Sequence, residues 1–236
     1  MKQPNAKKAV ILLSGGLDST TTLAYAKRDG FELYALSFHY GQRHRCELDA
    51  ATLLAYRYGV ADHRIMTIPS FGGSALTDAI DVPKHRSATE IAGGVPITFV
   101  PGRNLIFLSF AFAWAGTLGA EDIFLGVNAL DYSGYPDCRP EFVEAFERAG
   151  NIGVLGGESR RAIAIRAPLQ NMTKKDIVTL GRSLGVDYED TVSCYDPTGR
   201  LQNIRACGAC DACILRRKGF HEAGVADPTK YVEHAA

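Results

Sequence analysis

A chain of 236 residues, 46% of them hydrophobic, can bury one good core with room for a small appendage. Its 26 basic and 26 acidic residues cancel, which excludes the strong basic field of a tight nucleic-acid binder but not a local basic face. No segment reaches the roughly 18 apolar residues of a membrane span, and the apolar run near the start is too short for a secretion signal, so a cytoplasmic protein is expected.

Residues 9–13 form a short apolar run suited to a buried parallel strand. Residues 17–28 read as a helix, with Leu17, Ala24 and Tyr25 along one side and Gly30 placed to end it. A second strand is expected at 33–38. A helix at 44–58 carries Leu48, Ala51, Leu54 and Ala55 on one face, and a third strand follows at 63–68. The segment 69–96, rich in Gly, Ser, Asp and Pro, is a long irregular connection, uncommon unless functional or mobile. Residues 105–118 are apolar all round and predict a buried helix. Then come a strand at 123–127, a helix at 140–149, a short strand at 162–165, and a helix at 173–184 with Thr173 as N-cap and Asp176 in its first turn. This alternation predicts an α/β fold, a mostly parallel sheet with helices on both faces. The composition changes beyond Asp187, so residues 1–186 are expected to form the main domain and 187–236 a small C-terminal metal module packed on it.

In "LLSGGLDST" the pair Gly15–Gly16 sits where strand becomes helix. Glycine lets an anion approach the backbone, and the following helix N-terminus adds N–H donors. Ser14, Ser19 and Thr20 add hydroxyls. Asp18 would repel phosphate unless a Mg²⁺ ion lies between them. No Lys follows the glycines, so this is not the common P-loop. The glycine pair alone is compatible with a tight turn and no ligand.

Cys194, Cys207, Cys210 and Cys213 are spaced C-x12-C-x2-C-x2-C. Four thiolates in one small cluster suit a closed structural Zn²⁺ site; an iron–sulfur cluster is the rival, since two C-x2-C steps also occur there. Cys46 reads as a packed helical residue. Cys138 lies beside a candidate ligand loop, with no nucleophilic role assigned.

The string Ser14-Gly15-Gly16-Leu17-Asp18-Ser19 resembles the signature of the PP-loop ATP-pyrophosphatases. That resemblance implies a Rossmann-like fold of the adenine nucleotide alpha hydrolase type, and attack on the α-phosphate of ATP with release of pyrophosphate. The strings "FHYGQRH" (38–44), "VPGRN" (100–104), "GVNALDYSGYPDCRPEF" (126–142), "PLQNMTKKDI" (168–177) and "SCYDP…CGACDACILRRKGF" (193–220) are together similar to the 7-cyano-7-deazaguanine synthase family of queuosine biosynthesis. The likeness runs from about Val10 to Tyr231, with a longer gap between Cys194 and Cys207 than in many relatives; an exposed loop tolerates such an insertion.

The resemblance implies a C–N bond-forming ligase. It would convert 7-carboxy-7-deazaguanine and ammonia to the nitrile through adenylated acid and amide intermediates, using ATP and Mg²⁺ and held by structural Zn²⁺. It implies ATP contacts along Leu13, Ser14, Gly15, Gly16, Leu17, Asp18, Ser19, Thr20, Thr21, Thr22 and Leu23. Asp18, Arg103 and Lys174 would be catalytic. Tyr40, Arg103, Asn104, Asn128, Asp131, Tyr132 and Asp137 would hold the substrate, since carboxylates and aromatics suit a flat guanine-like base. Tyr135 belongs to the same loop, and Gln42, Arg43 and His44 are expected to face the same crevice, with helix capping the alternative role for His44. Related enzymes that attach a deazaguanine to a protein share this chemistry and remain open. A tRNA-modifying relative is disfavoured by the zero net charge. A homodimer, free ammonia and no direct nucleic-acid or membrane partner complete the expectation.

Overall fold

The computed structural model describes residues 6–128, 134–155, 161–199 and 203–233. Five parallel strands form one sheet in the order β3-β2-β1-β4-β5. They are β1 (Lys8–Leu12), β2 (Glu32–His39), β3 (Asp62–Thr67), β4 (Asp122–Phe124) and β5 (Ala164–Arg166). The central strand β1 is nearly all apolar because both of its faces are covered. The edge strand β3 is half-exposed and carries polar residues.

Side chains alternate across the strands with period two, and the two faces bury separate cores. Val10 and Leu12 meet Leu36, Phe38 and Ile123 beneath α4 (Arg103–Leu118) and α5 (Pro140–Leu155). Ala9, Ile11 and Leu13 meet Leu23 of α1 (Leu17–Arg28) and Ala51 and Ala55 of α2 (Cys46–Arg57). Gly30, at φ +83°, donates to the Lys27 carbonyl and ends α1 where expected.

Two helices differ from expectation. α4 is not buried all round: Leu105, Ser109 and Ala113 form an exposed row one turn apart, while Leu108, Ala111, Phe112 and Ala115 face the sheet. α5 continues through Gly150 to Leu155 because that glycine is a packing site. A Cβ there would lie 2.6 Å from the Phe112 ring.

The segment 69–96 contains a short helix, α3 (Ala88–Ile91), fixed by a reciprocal Ser87–Glu90 cap. Its Ala75 and Val82 pack on the four clustered cysteines, and the His85 N–H donates to the Ala209 carbonyl at 2.8 Å. Helices α6 (Lys174–Ser183) and α7 (Asp211–Glu222) join α1 in a third core of Leu17, Ala24, Ile177, Val178, Tyr188 and Phe220. Residues on both sides of position 187 therefore share buried contacts. No helix among the described residues is long and apolar enough to cross a membrane.

Candidate active site

The chain turns from β1 into α1 through the glycine pair. Gly15 has φ +86°, and a Cβ on it would stand 2.3 Å from the Glu47 carbonyl oxygen and 2.8 Å from the Ala51 nitrogen. Only glycine fits between this turn and α2. Ser14 Oγ and Ser19 Oγ lie 3.0 Å apart across the turn. The C-terminal segment completes it. The Val192 N–H donates to the Gly15 carbonyl at 3.0 Å, and Ser193 Oγ accepts from the Leu17 N–H at 3.3 Å. Gly16, Leu17, Asp18 and Ser19, at the positive end of α1, line the adjoining cavity.

A cavity of about 250 Å³ opens beyond the carboxyl ends of β1, β2 and β4. The sheet order reverses between β1 and β4, the usual ligand position in an open α/β sheet. Lys174 Nζ pairs with Asp18 Oδ2 at 2.5 Å, and Asn128 Nδ2 donates to the same oxygen at 3.2 Å. The other oxygen, Asp18 Oδ1, is buried with no hydrogen-bond partner among the described residues. A lone buried carboxylate oxygen is costly, and a divalent cation suits it. Lys174 holds its place because Thr173 and Asp176 cap the start of α6 reciprocally. Gly219 of α7 allows close packing there, since a Cβ on it would stand 2.7 Å from Lys174 Cβ.

Arg103 enters from the opposite wall as the first residue of α4, after Gly102 at φ +71°. Its guanidinium lies 5.9 Å from the centre of the Tyr40 ring. Burial opposes its charge, but Tyr40, Tyr135, Cys138 and Asp137 outweigh that and strengthen its hold on the proton. The stacked rings of Phe38 and Phe107, 3.9 Å apart, line the apolar side. Burial raises the Tyr40 pKa, keeping it a phenol. Glu47, from the first turn of α2, also lines the cavity; burial pushes its carboxyl up to about 7, with Arg103 pulling the other way.

The cavity wall thus gathers Leu13, Ser14, Gly16, Leu17, Asp18, Ser19, Tyr40, Gln42, Arg103, Asn104, Tyr135 and Lys174 from distant parts of the chain. Thr20, Thr21, Thr22 and Leu23 lie in the interior instead, because the next turn of α1 rotates them away from it. Thr20 and Thr21 return their hydroxyls to the Gly16 and Leu17 carbonyls, and Leu23 packs in the α1–α2 core. Asn128 is fully buried behind Asp18.

Asp137 sits off the cavity wall. Its Oδ2 accepts the Asn104 N–H at 3.0 Å, which satisfies an open donor in the first turn of α4. Arg43 donates to the Ile80 carbonyl, and His44 faces Asp196 at 3.5 Å, so neither lines the cavity. Asp131 and Tyr132 lie outside the described residues. Sequence reasoning missed Glu47, Ser193, Tyr195 and Arg216, all on the wall. Arg216 is buried in an ion pair with Asp227, Nε to Oδ1 3.1 Å, and also donates to Thr191 Oγ1 at 2.7 Å.

Beside this cavity, the sulfurs of Cys194, Cys207, Cys210 and Cys213 lie within 4.8 Å of one another, all buried. Metal–sulfur bonds of about 2.3 Å place tetrahedral thiolates about 4 Å apart, so the cluster can hold one metal ion. Backbone N–H groups of Cys207 and Asp196 point at Cys194 Sγ (3.2 and 3.4 Å), and that of Cys210 at Cys207 Sγ (3.3 Å). Such donors orient and stabilise thiolate ligands.

The family model for the queuosine biosynthesis protein QueC matches residues 8–224. A 7-cyano-7-deazaguanine synthase of Anaeromyxobacter sp. (strain Fw109-5) is 58% identical over 235 residues, covering 98% of this chain and 99% of the relative. The synthase of Solidesulfovibrio magneticus is 60% identical over 228 residues, covering 95% and 96%. Among solved structures, the NMN synthetase of Francisella tularensis aligns with a TM-score of 0.48 at 16% identity, covering 94% of this chain and 88% of that one.

Proposed function

Because this chain belongs to the family of the queuosine biosynthesis protein QueC, we propose that it makes 7-cyano-7-deazaguanine from 7-carboxy-7-deazaguanine, ammonia and ATP. The observation that carries this reading is the 58% and 60% identity to synthases of that name over nearly the full length of both chains. The geometry supports it. A carboxylate is a poor electrophile, and joining it to AMP supplies a leaving group. The glycine loop and the start of α1 bind the pyrophosphate end of ATP. Arg103 orients the substrate carboxylate toward the α-phosphorus, and Lys174 stabilises charge that develops there. Asp18 would hold Mg²⁺ through its solitary Oδ1; the ion neutralises phosphate charge when bound.

Ammonia then gives the amide. A second activation, at the amide oxygen, gives the nitrile in the same cavity. Tyr40 and Asn104 line the pocket for the base, and Asp131 and Tyr132 are further candidates to bind it. Asp137 serves it by holding the first turn of α4. Cys194, Cys207, Cys210 and Cys213 hold Zn²⁺ as a purely structural ion, in a module of residues 187–236. Two copies pair through the exposed row Leu105, Ser109 and Ala113 of α4 and Ile152 of α5; Ile152 is 83% exposed. None of the six cysteines is in a disulfide, in keeping with a cytoplasmic enzyme.

Incubation with ATP, Mg²⁺, ammonium and 7-carboxy-7-deazaguanine should yield the nitrile and AMP by mass spectrometry. Absence of AMP and an unchanged mass of the base would sink the assignment. Metal analysis should find about one zinc per chain; stoichiometric iron with a visible absorption band would replace it by a cluster.

A further inference from the structure

We propose that the Glu47 carboxylate is the base that captures incoming ammonium and takes its proton, an inference that rests on the function above. Ammonium is the abundant form at neutral pH, and only the unprotonated molecule attacks a carbonyl carbon. The amination step therefore needs a proton acceptor inside a site already crowded with phosphate charge.

Among the described residues on the cavity wall there are two carboxylates, Asp18 and Glu47, and no imidazole. Asp18 Oδ2 is held by Lys174 and Asn128, and its Oδ1 is the oxygen assigned above to Mg²⁺. The Cys138 sulfur takes a hydrogen bond from Asn104 Nδ2 at 3.2 Å. The Glu47 carboxylate has no hydrogen-bond or ion-pair partner among the described residues, although it faces Arg103. Its place is also apt. The Glu47 backbone abuts Gly15 of the glycine loop, and its side chain looks toward the arginine proposed to orient the substrate carboxylate.

The groups facing this carboxylate are Arg103 from α4, Tyr40 from the end of β2 and Cys46 beside it on α2. Burial, opposed by Arg103, leaves it titrating at about 7, near the working pH at which a general base is most effective. In the step, one N–H bond of ammonium breaks and its proton passes to Glu47. The freed nitrogen lone pair forms the C–N bond. The C–O bond to AMP breaks, and AMP leaves with that electron pair. The surplus proton on the new nitrogen goes to water.

The test compares Glu47→Gln with the wild-type protein using ammonium, and then hydroxylamine, which is largely unprotonated at neutral pH. With ammonium, amide and nitrile formation should fall about 100-fold. Exchange of labelled pyrophosphate into ATP, driven by the acid alone, should persist. Hydroxamate formation from hydroxylamine should stay within about threefold of wild type, which also shows that the variant's site is folded. The ammonium rate of the variant should climb with pH as free ammonia does, without the acid limb near 7. Undiminished use of ammonium by Glu47→Gln would overturn the inference. So would an equal loss with hydroxylamine, or pyrophosphate exchange falling in parallel. Absence of AMP from the wild-type protein overturns the functional reading and this one together; an active wild type matched by Glu47→Gln overturns this one alone.

Discussion

Glu47→Gln should stabilise the folded protein progressively as pH rises from 4.5 to 7, and in full above that. The carboxyl is raised from an ordinary 4.5 to about 7 in the folded chain, chiefly by burial. A group whose folded pKa is raised leaves stability intact below the unfolded value and erodes it as pH climbs through the folded one. The loss therefore falls between pH 4.5 and 7 and is complete above. At about 1.4 kcal/mol per tenfold change in proton affinity, that interval corresponds to about 3 kcal/mol. The carboxylate looks onto a water-accessible cavity, so about 2 kcal/mol is the safer expectation. Glutamine keeps the shape and never charges. Urea denaturation at pH 5 and pH 8.5 should show the variant's midpoint rising relative to wild type much more at the higher pH, with an unchanged slope. The same difference at both values would refute the idea that the carboxylate is desolvated. A residue retained despite a folding cost in its working state is expected at a functional site.

Lys174→Ala should lower AMP formation by about 100-fold or more while leaving the fold intact, as expected for a lost charge at the developing transition state; single-turnover quench measurements of AMP check it. Gly15→Ala combines a left-handed φ with a Cβ 2.3 Å from a backbone oxygen, so it should both destabilise the protein and abolish ATP binding, measured by calorimetry with wild type alongside. Asp227→Ala leaves Arg216 buried and uncompensated and should cost about 3–5 kcal/mol in chemical denaturation. The Asp227 pKa is lowered because Arg216, Tyr231 and a backbone N–H together outweigh burial. The wild type should therefore lose this contribution as pH falls through that depressed value, and the variant should not.

Local signals carried much of this molecule. The alternation of strands and helices gave the sheet, and Thr173 with Asp176 gave the start of α6, because each rests on neighbours in sequence. The cysteine spacing likewise announced its cluster. What escaped depends on long-range burial. Glu47 reads in sequence as an ordinary acidic residue of a helix's first turn, and only the approach of Gly15 and Arg103 makes it a desolvated group. Thr20, Thr21 and Thr22 follow the loop signature closely enough to be taken with it, yet one further turn of helix carries them inside. Asp137 has the right chemistry for a base edge, but the open N–H of Asn104 has first claim on it. Arg216 reaches the cavity from α7, which packs on α6, and Ser193 from a segment bonded to the glycine turn.

The two hydrogen bonds that finish the glycine turn come from Val192 and Ser193, and the next residue is Cys194. The nucleotide loop is therefore tied to the thiolate cluster by a leash one peptide long. If the cluster holds the proposed metal, stripping it would free the near end of that leash. An apoprotein would keep its strands and its aromatic wall yet fail at the first encounter with ATP. Metal shortage would then halt synthesis upstream of any ATP cleavage, so that neither adenylate nor half-finished amide accumulates.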